Sequence, residues 1–212
     1  MLRMASRILA TTLFERIRAN PATPAIIEPI YSVRRLFPPR KNINKFLVGG
    51  AVEEVICDLI RSCGYACDNV SSTEAVIDII VRDGAHSFPF SLKSIQRLGS
   101  AIIIENYRGK KHDIGELAPT IVVVIGEKNL TLAYLDNTIV LESGVPMETV
   151  YNHADSNLSM RGGFVKTMIT KSLPADLVIN IGVPDLPDLA EMDISALVVA
   201  QARAAVAAAR AK

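Results

Sequence analysis

Apolar and polar positions alternate along this chain with a period that changes several times. Between residues 3 and 18, Ile8, Leu9, Leu13 and Ile17 recur among Arg and Thr, which predicts an amphipathic helix. Pro21, Pro24, Pro29, Pro38 and Pro39 then punctuate a stretch that reads as an extended arm. After Gly49-Gly50, the positions Val52, Val55, Ile56, Leu59 and Ile60 form one face of a helix that Gly64 stops. A strand over 76–81, a turn over 82–87 around Asp83-Gly84, and a returning strand over 88–93 follow. The pattern then predicts a helix over 94–107. The continuous apolar run 120–125 reads as a central strand buried on both faces. Strands over 130–135 and 138–141, separated by an Asp136-Asn137 turn, precede another strand over 176–183. The alanine-rich tail 194–212 should be helical. No internal repeat is visible. Helix, strand, strand, helix, strand is an α/β order around a mixed sheet.

Composition narrows the class. Half of the 212 residues are hydrophobic and 21% are charged; with a mean hydropathy of +0.29, this excludes disorder and allows one domain over 1–212. No apolar run reaches the ~18–20 residues that span a bilayer, and no apolar signal segment follows Arg3, so a soluble intracellular protein is expected. The acid-poor opening residues also resemble an organelle presequence. Cys57, Cys63 and Cys67 are an odd number within eleven residues, against a secreted disulfide scaffold. Their spacing lacks a fourth nearby ligand, so buried structural thiols are a simpler reading than zinc.

The charge is uneven. Arg3, Arg7, Arg16, Arg18, Arg34, Arg35, Arg40, Lys41 and Lys45 face two acids, Glu15 and Glu28, in the first 50 residues, while the remaining 162 hold 14 basic and 20 acidic groups. A basic front suits either a polyanion partner or a solvated helix and linker.

Asp78 stands inside the apolar stretch 75–81, where a carboxylate is costly unless cations or donors compensate it. On the returning strand, Ser91 and Lys93 share one face while Phe88, Phe90 and Leu92 share the other. A turn centred near residue 85 sets Asp78 opposite Ser91 or Lys93, with cross-strand Cβ separations of ~5 Å. A carboxylate and an ammonium converging at a sheet face suit metal-assisted hydrolysis, and equally a simple ion pair closing a hairpin. On the preceding helix, Glu53 borders the apolar face and can look toward Asp78, whereas Glu54 should be solvated.

Gly50-x-x-Glu53 on a helix, Asp78 on a strand, Ser91-Leu92-Lys93 on the next, then a helix and a buried strand resemble the PD-(D/E)xK nuclease core. Phe90-Ser-Leu-Lys-Ser94 is most similar to type II restriction endonucleases. The resemblance covers 48–135, leaving 1–47 as a basic helix and arm and 136–212 as a C-terminal extension with a helical tail. It implies a restriction-endonuclease-like core, a mixed central β-sheet flanked by helices, and Mg²⁺-dependent hydrolysis of DNA phosphodiesters. Asp78 would be the central metal ligand, Lys93 the catalytic lysine and Glu53 the supporting acid. Residue 77 is Ile where the motif name has proline, and Ser91 stands where the motif has Asp or Glu. Serine removes a formal charge, so Glu53 or Glu105 must compensate, or the site binds DNA without cutting it.

The same resemblance implies double-stranded DNA as partner, a two-fold homodimer with part of its interface in the apolar 189–209 region, and a prokaryotic cytoplasm. Arg34, Arg35, Arg40 and Lys41 in the arm would meet phosphates; Arg161, Lys166 and Lys171 suit either a loop that contacts DNA or an ordinary β-turn, and Ser94 and Gln96 would lie near the scissile phosphate. A repair or recombination nuclease on the same core, and a non-catalytic DNA-binding protein, are the alternatives. No Walker pattern occurs, and His86, His112 and His153 show no nucleophile–base pairing.

Overall fold

The computed structural model describes residues 2–36, 42–70, 77–106, 117–154 and 157–183. Three helices come first: α1 (Leu2–Ala19), α2 (Thr23–Leu36) and α3 (Asn42–Ser62). The strands β1 (Ala66–Asn69), β2 (Ile79–Asp83), β3 (His86–Ile95), β5 (Thr120–Ile125), β6 (Asn129–Leu135) and β9 (Val178–Gly182) form a sheet in the order β1-β2-β3-β5-β6-β9. The pair β3–β5 is parallel and the others are antiparallel. A second sheet sets β4 (Ile102–Asn106) beside β8 (Asn157–Met160), which pairs with β7 (Tyr151–Ala154). The short helices α4 (Asn137–Glu142), α5 (Met147–Val150) and α6 (Gly162–Thr167), a π-helical turn over Met168–Ser172 and a 3-10 turn over Ala175–Leu177 complete the described elements. This is a mixed α/β fold with a central mixed sheet flanked by helices.

The core runs from Phe14 and Ile17 on α1 through Ile27 and Ile30 on α2 and Leu59 and Ile60 on α3 to the sheet. Every residue of β5 is buried, as a strand covered on both faces requires. Behind it, Phe90 meets Tyr134 edge-on with ring centroids 6.3 Å apart. Cys57 and Cys67 are buried thiols, and Cys67 Sγ donates to Cys57 Sγ at 2.9 Å. That bond pushes the Cys57 pKa down and the Cys67 pKa up. Among the described residues no helix is long and apolar enough to cross a membrane.

Several expectations need correction. The arm is helical as far as Leu36: Pro24 sits in the first turn of α2, where a missing N–H costs nothing. Burial of Ile27, Ile30, Tyr31 and Val33 on one face outweighs Pro29 in the interior. Helix α3 begins before Gly49-Gly50 and runs through both, because Val48 and Val52 are buried on either side of them. The expected helix over 94–107 is absent where described. Strand β3 extends to Ile95, Gly99 turns the chain at φ +97°, and the β-branched run Ile102–Ile104 pairs in β4. The 189–209 region, the rest of the tail, Arg40, Lys41 and His112 lie outside the described residues.

The expected strand over 138–141 is helix α4, and Asp136 decides this. Its Oδ1 accepts from Ile139 N at 2.8 Å and its Oδ2 from the Tyr134 hydroxyl at 2.9 Å, with the whole residue buried. Asp136→Ala removes the cap and the hydrogen bond that the buried Tyr134 hydroxyl donates. The expected loss is about 2–4 kcal/mol, read from urea unfolding, with Asp136→Asn retaining part of it.

Candidate active site

The β2–β3 hairpin positions the first candidate residues. Asp83 pairs with His86 across a two-residue turn, and Ile79 pairs with Phe90, so Asp78 stands across from Ser91. Asp78 N donates to Phe90 O at 3.0 Å, and Val70 N donates to Asp78 O at 2.9 Å. Its backbone is thus fixed between the end of β1 and β3.

The Asp78 side chain gathers three donors on one oxygen. Oδ2 accepts from Ser91 Oγ at 2.9 Å, from Leu92 N at 2.7 Å and from Lys93 Nζ at 3.2 Å. The carboxylate and the ammonium retain 26% and 20% exposure, enough for a ligand to reach them. None of the three bonds uses Oδ1. Ser91 itself is buried, and its N–H donates to Pro119 O at 2.8 Å, anchoring β3 to the approach of β5.

Glu53 reaches this cluster from α3. Burial raises its pKa first and the Asp78 charge raises it further, while a hydrogen bond from Asn69 and the Lys93 charge pull the other way. Glu54, one residue on, is exposed and accepts from Asn69 Nδ2 at 3.1 Å. Asn69 therefore stands at both acids. It went unread in the sequence because β1 is four residues long, too short to show an alternation.

A raised carboxyl pKa has a definite sign in stability. The folded chain holds the Glu53 proton more tightly than the unfolded one, so its contribution is greatest below the ordinary carboxylate range. That contribution fades as pH rises through the raised value. Glu53→Gln, unfolded by urea in EDTA, should be more stable than the parent at pH 7. The advantage should shrink as pH falls into the carboxylate range.

The other candidates divide. Ser94 and Gln96 line a cleft of about 530 Å³ that also touches Lys93, Val48 and the start of β4. Lys166, on α6, runs its stem past Gly99 beside that cleft. Arg161 links β8 to α6 as its N-cap residue, so the expected loop or β-turn is helical from Gly162, and its Nε donates to Tyr151 O at 3.1 Å. Arg34 ties α2 to the end of β5, donating to Ile125 O at 3.1 Å and Gly126 O at 2.6 Å. Those bonds give Arg34 a structural role. Arg35 follows it on α2, and Lys171 lies in the π-helical segment Met168–Ser172 that continues α6. Glu105 falls on β4, opposite Leu158, and not on a helix.

Comparison with protein-family models, with curated proteins and with solved structures returns no match to this chain. The function must be argued from the site's own chemistry.

Proposed function

We propose that this chain is a Mg²⁺-dependent endonuclease that hydrolyses DNA phosphodiester bonds, of the type II restriction kind that its motif resembles. The observation that carries the reading is the convergence of Ser91 Oγ, Leu92 N and Lys93 Nζ on one oxygen of Asp78, with Glu53 alongside. A hairpin closed by an ion pair alone gives no reason for a second, half-buried carboxylate whose pKa the first one raises.

The donor set fits a magnesium ion. Among the described residues no group of three or more His, Cys, Asp or Glu side chains could hold a metal. Mg²⁺, however, is held by one or two carboxylates together with waters and substrate phosphate. Asp78 and Glu53 are two such carboxylates, and the Asp78 charge helps to raise the Glu53 pKa, a penalty that a bound cation would relieve. When bound, the ion supplies Lewis-acid charge for the phosphate and makes water a better nucleophile. Ser91 and the Leu92 amide lock the orientation of Asp78, leaving Oδ1 for the ion. Lys93 orients the attacking water and sets positive charge against the phosphate. Lys166, exposed near the cleft, adds salt-dependent hold on the DNA backbone. A two-fold dimer would bring one such site to each strand.

The test is incubation with supercoiled and genomic DNA in Mg²⁺ and in EDTA. Discrete fragments that require Mg²⁺ support a restriction enzyme, and a smear or cutting confined to branched DNA supports a repair nuclease. A second reading, DNA binding without cleavage, is favoured by Ser91, a neutral hydroxyl already spent on Asp78. Retarded DNA with no Mg²⁺-dependent product would select it.

A further inference from the structure

Hydrolysis of a phosphodiester gives no use to the cleft beside Lys93. Phosphates line the outside of a duplex and reach a sheet edge without entering a cavity. A groove that follows the DNA backbone gathers Lys and Arg. Among the described residues Lys93 is the one charged residue of the lining, and it stands at the margin shared with Asp78. The walls are branched apolar side chains, Val48, Ile102 and Ile103, and the polar groups among them include Ser94 and the Gln96 amide. At about 530 Å³ the space lies within the ~300–1,000 Å³ of pockets that take small organic groups.

Topology explains why the space exists at this point. Strand β2 pairs with β3 no further than Phe90, while β3 continues to Ile95 along β5. Past Asp78, the β2-facing edge of β3 therefore has no strand partner among the described residues. The β4 residues Ile102 and Ile103 rise beside that edge. Flat apolar faces and a hydrogen-bonding edge are what a nucleobase presents, and Gln carries one donor and one acceptor group suited to that edge.

We propose that this cleft takes one unstacked nucleobase of the strand whose phosphate meets Lys93. The inference rests on DNA being the substrate of the site, and it adds that one base leaves the duplex stack at the point of cleavage. A paired base must first leave the stack, a cost that a mismatched or single-stranded base has largely been spared. The branched side chains then cover its faces and Gln96 meets its edge.

The experiment titrates the wild-type chain, in EDTA, onto oligonucleotides carrying one 2-aminopurine. The base is placed in a perfect duplex, at a mismatch, and in a single strand. Unpaired placements should bind about tenfold or more tightly than the duplex, with a change in 2-aminopurine fluorescence on binding. Ile103→Ser, at a side chain 49% exposed and so outside the core, should lose that preference and keep the duplex affinity, and Gln96→Ala should lose the preference as well. Equal affinities for paired and unpaired DNA, or a preference that survives in both variants, would overturn the proposal. A parallel series in Mg²⁺ separates the two claims. Cleavage without the preference removes the base site and leaves the nuclease; the preference without cleavage does the reverse.

Discussion

Asp78→Asn is expected to lower DNA cleavage by about 10³-fold or more while leaving the chain folded and able to bind DNA. The substitution changes charge and almost nothing else. An Asn carbonyl oxygen still accepts from Leu92 N and Ser91 Oγ, so the hairpin keeps its geometry. Two things are lost together: half of the negative charge that a magnesium ion requires, and the partner that holds Lys93 Nζ at 3.2 Å. The stability cost is small, about 1 kcal/mol or less, because both side chains remain partly solvated. A large loss of cleavage with an unmoved unfolding midpoint is therefore the signature of a reaction centre. An ion pair that merely closes a hairpin would give the same small shift in midpoint without the loss of cleavage. Lys93→Ala should lose cleavage similarly, with weaker DNA retention at low salt from the missing cation. Cutting by Asp78→Asn within tenfold of wild type would remove Asp78 from the mechanism.

The site was legible in the sequence to a greater extent than the fold around it. Side chains on a strand alternate with period two, and a two-residue turn fixes register, so Asp78, Ser91 and Lys93 could be set on one face from local spacing. Glu53 followed from the helical period in the same way. What local pattern could not decide were elements whose state depends on distant partners. Ile102–Ile104 fits helix and strand alike until β8 offers a ladder. Thr138, Ile139 and Val140 favour a strand by type, yet the buried Asp136 cap starts a helix there. Arg34 reads as a free cation by composition, and only the position of the β5 end makes it a tie between layers.

Two neighbouring glycines should respond to alanine with opposite signs. In Gly162→Ala the new Cβ would lie 2.7 Å from the Ser100 carbonyl carbon and closer still to the Gly99 carbonyl. These are backbone atoms, so no side-chain rotation relieves the collision. Either α6 withdraws or the turn over 96–101 shifts, and the expected loss is about 3 kcal/mol or more. The next residue has open space around its Cα, and in Gly163→Ala the Cβ meets nothing within 4 Å. There the helix gains the ordinary advantage of Ala over Gly, about 0.5–1 kcal/mol. Urea midpoints of the two variants should move in opposite directions, and a common direction would refute the packing of α6 on this turn. The contact also reaches the chemistry, because that turn follows Lys93 directly and carries Gln96 and Ser100 into the cleft. Any Gly162→Ala protein that still folds should therefore bind unpaired DNA less selectively, while Gly163→Ala keeps the wild-type preference. A loop of random placement would show no such difference between adjacent positions.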